Sequence, residues 1–306
     1  MTIQQEYIPL KNHLDLWNDI TPIEQFSEKI DILLINYPKD YELLMKYFRG
    51  ILEKKEISLR VYQLTSEIID ENATNYMAWH IRRLCIDQIK EIDLENELNW
   101  LDKMMIYNQK NYQIWHHRKV LIDKLNDCSH EKDVLGKVFN SDSKNFHAWT
   151  HRIWMIRRFN NIENEFEFIE NLLNNDIKNN SVWNFRFFII NYINGNEIKD
   201  NIIHDEIKYS LNKIKECVFN ESAYCYLRGW IIKMNKKFND YPEIKNELLE
   251  LCKNNEVNHI HSILLDIYEE EGNKEKVEEE VKILCELDYI RKKYYLWRKV
   301  HFQPKR

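Results

Sequence analysis

The sequence predicts an all-α fold, an α–α superhelix in which helical hairpins stack one on the next as a solenoid. A repeated skeleton, Asn-x-x-x-Trp-x-x-Arg, is the first sign. It stands at Asn75/Trp79/Arg82, Asn111/Trp115/Arg118, Asn145/Trp149/Arg152 and Asn179/Trp183/Arg186, and a worn fifth copy places Tyr224 four residues after Asn220. The second sign is the period: the aromatic positions are 36, 34, 34 and 41 residues apart, spacings that mark arrays of two-helix repeats. Third, no proline occurs from Lys39 to Tyr241 and the only glycines there are Gly50, Gly136, Gly195 and Gly229. So long a run without breakers or β-alternation argues for helix after helix.

Residues 1–40 differ from the rest. They hold Pro9, Pro22 and Pro38, three of the five prolines, and read as an irregular arm, with Tyr7 to Thr21 extended or irregular and Trp17 as its anchor. Residues 41–306 read as a single helical-repeat domain. Within each repeat the Asn lies between two apolar runs, where its side-chain oxygen reaches a backbone N–H of the next turn; such an N-cap is worth about 1 kcal/mol. The Trp lies one turn further on, and the Arg shares its face. A large aromatic there fills the space between neighbouring hairpins, and the guanidinium stacks on it or pairs with an acid. The skeleton is therefore scaffold, and function lies in the residues that vary around it.

Further along, Ile207, Leu211, Ile214 and Val218 form an amphipathic stripe, and Val182–Ile193 is apolar nearly all round, as suits a sandwiched helix. Loops fall at 72–74, 108–109, 141–143, 174–176 and 194–196. After Pro242 the motif disappears while helical patterning continues. The acids of 269–280, interleaved with Lys274 and Lys276, read as a solvated face. Residues 286–299 read as a terminal helix capping the array, and Arg291-Lys292-Lys293 as solvated charge.

Composition narrows the function. A net charge of -6 argues against nonspecific nucleic-acid binding as the main task. The six cysteines form no C-x-x-C pair and sit on predicted helices, which suits a reducing compartment. The opening MTIQQEYIPLKNH lacks the apolar centre of a secretion signal. The most apolar run is too short for a membrane span and contains Arg186 and Asn191. The expectation is a cytoplasmic protein with no membrane span.

No catalytic signature stands by itself: there is no Gly-rich phosphate loop, no H-E-x-x-H and no G-x-S-x-G. His147 and His151 are four apart, but no third ligand is spaced to join them, so they read as hydrogen-bonding rather than metal-binding. The adjacent His116 and His117 point two ways from one helix. The informative polar residues lie at the repeat mouths. Lys110 and Lys144 directly precede a motif Asn, while Tyr112, Gln113, Phe146 and His147 directly follow one. A lysine at a helix N-terminus favours anions. Stacking in register would bring Lys110, Tyr112, Tyr76 and His147 near one another on one edge; capping-turn polarity is the plainer account of the same residues.

The stretches NYMAWHIRR, KNYQIWHHRKVLI, KNFHAWTHRIW, IKNNSVWNFRFFII and FNESAYCYLRG, with LWNDITPI and DYIRKKYYLWR at the flanks, resemble the prenyltransferase α-subunit repeat family. The resemblance is closest to the α subunits shared by protein farnesyltransferase and protein geranylgeranyltransferase type I, and runs from about residue 7 to about residue 298. It implies a right-handed, crescent-shaped superhelix wrapped around a β subunit in a heterodimer. It also implies transfer of an isoprenyl group from isoprenyl diphosphate to a C-terminal C-a-a-X cysteine of proteins such as small GTPases. The zinc that activates the thiolate would be held by the β subunit and not by this chain, with magnesium beside the diphosphate as a further candidate. The β subunit would set farnesyl against geranylgeranyl.

Residue by residue, Lys110 matches a lysine that contacts the departing diphosphate, and Tyr112 a tyrosine beside it; these two are the implied catalytic residues. For substrate binding, Gln113 matches a glutamine on the C-a-a-X carboxylate, Tyr76 a wall of the pocket for the last residue, and His147 a histidine near the isoprenoid. Phe146 departs from the family's Tyr, and Tyr224 from its Trp. Two other readings share features with this one. The Rab geranylgeranyltransferase α subunit has the same repeat but carries Gly where Gln113 stands. A non-catalytic peptide-binding scaffold of TPR type shares the period, but its prolines are missing here.

Overall fold

The computed structural model describes residues 9–12, 14–25, 35–195 and 197–302. Every regular element among them is helical, and they fall into two compact units, up to Asn160 and from Asn161 onward.

In the first unit, 3-10 turns at Leu10–Asn12 and Leu14–Trp17 lead to α1 (Lys39–Lys54), α2 (Leu59–Glu71), α3 (Tyr76–Gln88), α4 (Leu94–Tyr107), α5 (Tyr112–Leu125), α6 (Glu131–Ser141) and α7 (Phe146–Phe159). Helices pair in sequence, α2 with α3, α4 with α5 and α6 with α7, and the motif helices α3, α5 and α7 stack in a row. Tyr7, Ile8 and His13 lie outside the described residues, but the expected anchor is among them. Trp17 is buried, edge-on to Tyr47, with the Arg60 guanidinium 4.9 Å from its ring centroid. Gly50 lets the arm lie close: a Cβ there would meet the Thr21 carbonyl oxygen at 2.5 Å and Ile20 at 2.8 Å. Of the two readings of the arm, the described residues take the irregular one: Leu10–Asn12 and Leu14–Trp17 are short 3-10 turns, the first closed by Asn12 N–H on the Pro9 carbonyl.

The second unit comprises α8 (Glu165–Asn175), α9 (Asn180–Asn194), α10 (Asp200–Glu216), α11 (Glu221–Lys233), a 3-10 turn at Phe238–Asp240, α12 (Pro242–Cys252), α13 (Asn258–Glu271), α14 (Lys274–Leu287) and α15 (Lys292–His301). Pairing continues, and α9, α11 and α13 stack. Two expectations need correcting. Val218 lies past the end of α10, so the stripe closes at Ile214. The terminal helix is two, broken at Asp288, whose carboxylate accepts from the Arg291 backbone N–H, its guanidinium and the Tyr295 hydroxyl and so turns the chain.

All five motif asparagines are N-caps. Their side-chain oxygens accept from Ala78, Gln113, Ala148, Ser181 and Ser222 N–H groups at 2.8–3.2 Å. The other end of the side chain ties repeats together. Asn111 Nδ2 donates to the Ala73 carbonyl at 2.7 Å, the same carbonyl that accepts from Trp79 Nε1 at 2.9 Å. Asn145 and Trp115 share the Gln109 carbonyl likewise, and Asn220 and Trp183 share that of Ile177. One loop carbonyl is thus satisfied twice, by its own Trp and by the next repeat's Asn, which leaves little of a buried acceptor unmet. Tyr224 keeps this pattern: its hydroxyl reaches the Val218 carbonyl at 3.0 Å, six residues back as in every Trp copy.

Candidate functional site

The motif arginines pair with acids. Arg82 meets Glu97 at 2.5 and 2.6 Å, and its guanidinium lies between the Tyr62 and Trp100 rings. Arg118 meets Glu131 and Arg186 meets Glu206 in the same two-pronged way. Each acid also receives a donor from the following motif helix: His117 Nε2 on Glu97 at 2.7 Å, His151 Nε2 on Glu131 at 2.6 Å, and the Tyr226 hydroxyl on Glu206 at 2.6 Å. All three donors follow their acid by 20 residues, a regularity that the skeleton search passed over. Burial pushes the Glu97 and Glu131 carboxyls up, but the adjacent Arg and His outweigh it and hold both at about 2. Burial pushes His117 and His151 down, so each is a neutral N–H donor. These groups are buried and tie each motif helix to its neighbours, with only the second ring nitrogen of His117 left without a partner among the described residues.

The expected site residues lie outside that interior. Lys110 sits just before the Asn111 cap, highly exposed, with its ammonium 3.4 Å from Asp142 at the mouth of the next repeat. The following residue, Tyr112, opens α5 with an exposed ring. His147, in the first turn of α7, meets the Tyr112 ring edge-on at 4.3 Å between centroids and lies parallel to Trp115 at 6.4 Å. Its ring N–H is directed at the Lys110 backbone carbonyl, while burial holds its pKa below the ordinary value. The Tyr112 ring, the His147 imidazole and the Lys110 backbone are therefore brought together across the α5–α7 step, three of the four residues expected on that edge. Gln113 takes a neighbouring position on α5, where its Oε1 accepts from Arg83 at 3.5 Å. Tyr76 is exposed at the start of α3. Phe146 is exposed too, edge-on to His147.

Two neighbours escaped the sequence reading because nothing in the repeat marks them. Asp142 restrains Lys110. Arg83 is half-buried beside Gln113, with Nη1 buried and without a hydrogen-bond partner among the described residues, and burial lowers its pKa. It is a cation short of an acceptor, next to an amide that can donate. Between the repeat mouths, Thr74, Tyr107, Gln109, Lys110, Ser141 and Asp142 line an open depression. The edge thus offers an exposed ammonium, a phenol and a helix N-terminus to an anion, with the His147 imidazole packed beside them.

The described residues contain no group of three or more His, Cys, Asp or Glu placed to hold a metal ion, and no helix among them is long and apolar enough to cross a membrane. His151, the histidine weighed as half of a metal pair, is buried on Glu131. In the second unit Arg291 pairs with Asp288 at 2.7 Å, so the basic triplet there is partly neutralised.

Comparison with known proteins agrees with this architecture. The pattern of the protein prenyltransferase alpha subunit repeat matches residues 59–89, 94–125, 128–159 and 162–193. The protein farnesyltransferase/geranylgeranyltransferase type-1 subunit alpha of Dictyostelium discoideum is 37% identical over 94% of this chain and 92% of its own length. The subunit of the same description from Pisum sativum is 36% identical over a shorter stretch, 33% of this chain and 30% of its own length. Among solved structures, Candida albicans protein geranylgeranyltransferase-I complexed with GGPP superposes with a TM-score of 0.84 at 28% identity, covering 93% of this chain and 98% of that one. With its repeats, its stacked hairpins and a relative matched nearly end to end, this chain belongs to the protein prenyltransferase α-subunit family, among the farnesyltransferase/geranylgeranyltransferase type-1 α subunits.

Proposed function

We propose that this chain is the α subunit of a heterodimeric C-a-a-X protein prenyltransferase, and that its contribution to the reaction comes from the edge formed by Lys110, Tyr112 and His147. The 37% identity to the Dictyostelium discoideum α subunit over 94% of the chain carries the first part. The convergence of an ammonium, a phenol and an imidazole at the start of α5 supports the second.

The chemistry follows from the charges. When an isoprenyl group leaves its diphosphate, negative charge grows on the bridging oxygen. A donor already placed at that position lowers the barrier without having to reorganise. Lys110 supplies a full positive charge on a flexible stem, held only by Asp142 at 3.4 Å. Tyr112 adds a hydroxyl donor, and His147 braces the Tyr112 ring from the side. Gln113 directs its amide N–H toward the peptide's terminal carboxylate while its oxygen is taken by Arg83, and the Arg83 cation adds attraction for the same group. Tyr76 walls the pocket of the last peptide residue.

Zinc would be held by the β subunit. The interior histidines His117 and His151 are engaged with Glu97 and Glu131, and among the described residues no group of three or more His, Cys, Asp or Glu is placed to hold the ion. What the metal supplies is thiolate activation; what this chain supplies is anion stabilisation and peptide reading. The test is reconstitution with a cognate β subunit and a C-a-a-X peptide. Transfer is expected from the pair and from neither chain alone, and full activity of the β subunit without this chain would overturn the proposal.

A further inference from the structure

One cluster in the second unit has no part in prenyl transfer or in the repeat scaffold. Cys252 ends α12 half-buried. Its sulfur lies 3.8 Å from Nε2 of His261 on α13, and the other ring nitrogen of His261 lies 2.7 Å from Oε2 of the buried Glu280 on α14. Three helices thus contribute a thiol, an imidazole and a carboxylate in line. The comparison with His117 is instructive. That imidazole also donates to a glutamate, but its second nitrogen faces the interior without a partner among the described residues. The second nitrogen of His261 instead faces the sulfur of a half-buried cysteine.

We propose that Cys252 is a peroxide-reactive cysteine, activated by His261 and oriented through Glu280. His261 takes the thiol proton as the sulfur attacks one oxygen of hydrogen peroxide. An S–O bond forms as the O–O bond breaks. Sulfur loses two electrons and becomes a sulfenic acid, and the departing hydroxide takes the proton from His261 Nε2 and leaves as water. A protonated imidazole suits both steps, since it stabilises the thiolate and supplies the leaving group's proton. Burial works against charge on His261, but Cys252 and Glu280 outweigh it and raise its pKa to about 9. The other titratable groups facing Cys252 are Tyr224 of α11 and Tyr268 of α13, both kept as neutral phenols by burial.

The other cysteines provide internal controls. Cys85 and Cys128 are buried, Cys225 is exposed, and the Cys285 thiol donates to the Lys292 carbonyl. Full-length protein, in complex with its β subunit where that is available, is treated at pH 7 with substoichiometric hydrogen peroxide in the presence of dimedone. Modified peptides are then quantified by mass spectrometry. Cys252 is expected to be labelled first, about tenfold faster than Cys225, the gain expected of an imidazole placed to take the thiol proton. His261→Gln is expected to bring Cys252 down to the Cys225 rate with unchanged helical content. If that variant fails to fold, the comparison within the unmodified protein decides. Cys252 reacting no faster than Cys225, or a folded His261→Gln retaining the full rate, overturns the proposal.

Discussion

Lys110 and Gln113 are three residues apart, and on the proposed reading they fail in different ways. Lys110 acts on charge that appears only as the diphosphate leaves, so Lys110→Ala in the heterodimer should slow single-turnover transfer about a hundredfold, or ~3 kcal/mol. Its melting temperature should hardly move, because the ammonium is 81% exposed with one 3.4 Å partner, and such surface pairs contribute little to stability. Gln113 meets the peptide in ground and transition states alike. Gln113→Ala should therefore raise the peptide KM and leave the single-turnover rate nearly intact. If Lys110→Ala melts early but turns over normally, the capping-turn account of these residues is the correct one. At this scale the sequence showed which residues to examine, because they sit beside the motif Asn. It did not show Asp142, which the end of α6 brings to Lys110, or Arg83, which α3 brings to Gln113 where it packs on α5.

At the scale of the helix, the asparagine caps and the acid pairs give separable predictions. Asn111 caps α5 and also donates to the Ala73 carbonyl of the preceding repeat. Asn111→Ala should cost about 1–2 kcal/mol in thermal or urea unfolding, more than an isolated cap would. Glu97→Gln should cost more, about 3–5 kcal/mol, because it leaves the Arg82 charge buried without its partner. The same groups set a pH dependence. A carboxylate held at about 2 stabilises the fold above its unfolded value of ~4.3, and that stability is lost as pH falls from there toward 2. His117 and His151, kept neutral by burial, contribute fully above the unfolded value of ~6.5 and progressively less below it. Melts followed by circular dichroism should thus weaken gently below pH ~6.5 and steeply below ~4.3, with the steep step reduced in Glu97→Gln. A flat profile down to pH ~3 would refute the assignment of these groups.

For the whole molecule, the proposed α subunit should form a stable complex with its β subunit, burying well above the roughly 2,000 Å² at which obligate interfaces begin. Sedimentation of the two purified chains mixed at micromolar concentration checks this, and separate boundaries would count against it. The sequence by itself determined the all-α class, the hairpin period, the five helix starts and the candidate edge residues. Those features depend on local chemistry: an Asn oxygen reaches a backbone N–H two or three residues on, and apolar spacing follows the helical turn. Tyr224 could be read only as a worn Trp, since nothing local says that its hydroxyl will meet the same carbonyl position. Only the tertiary structure decided what the arginines hold, which carbonyl each Asn shares with a Trp, and where Asp288 breaks the last helix. It also decided that Cys252, His261 and Glu280 meet. These contacts join residues from different helices, and one-dimensional spacing carries that information only where a repeat happens to fix it, as in the 20-residue step from Glu97 to His117.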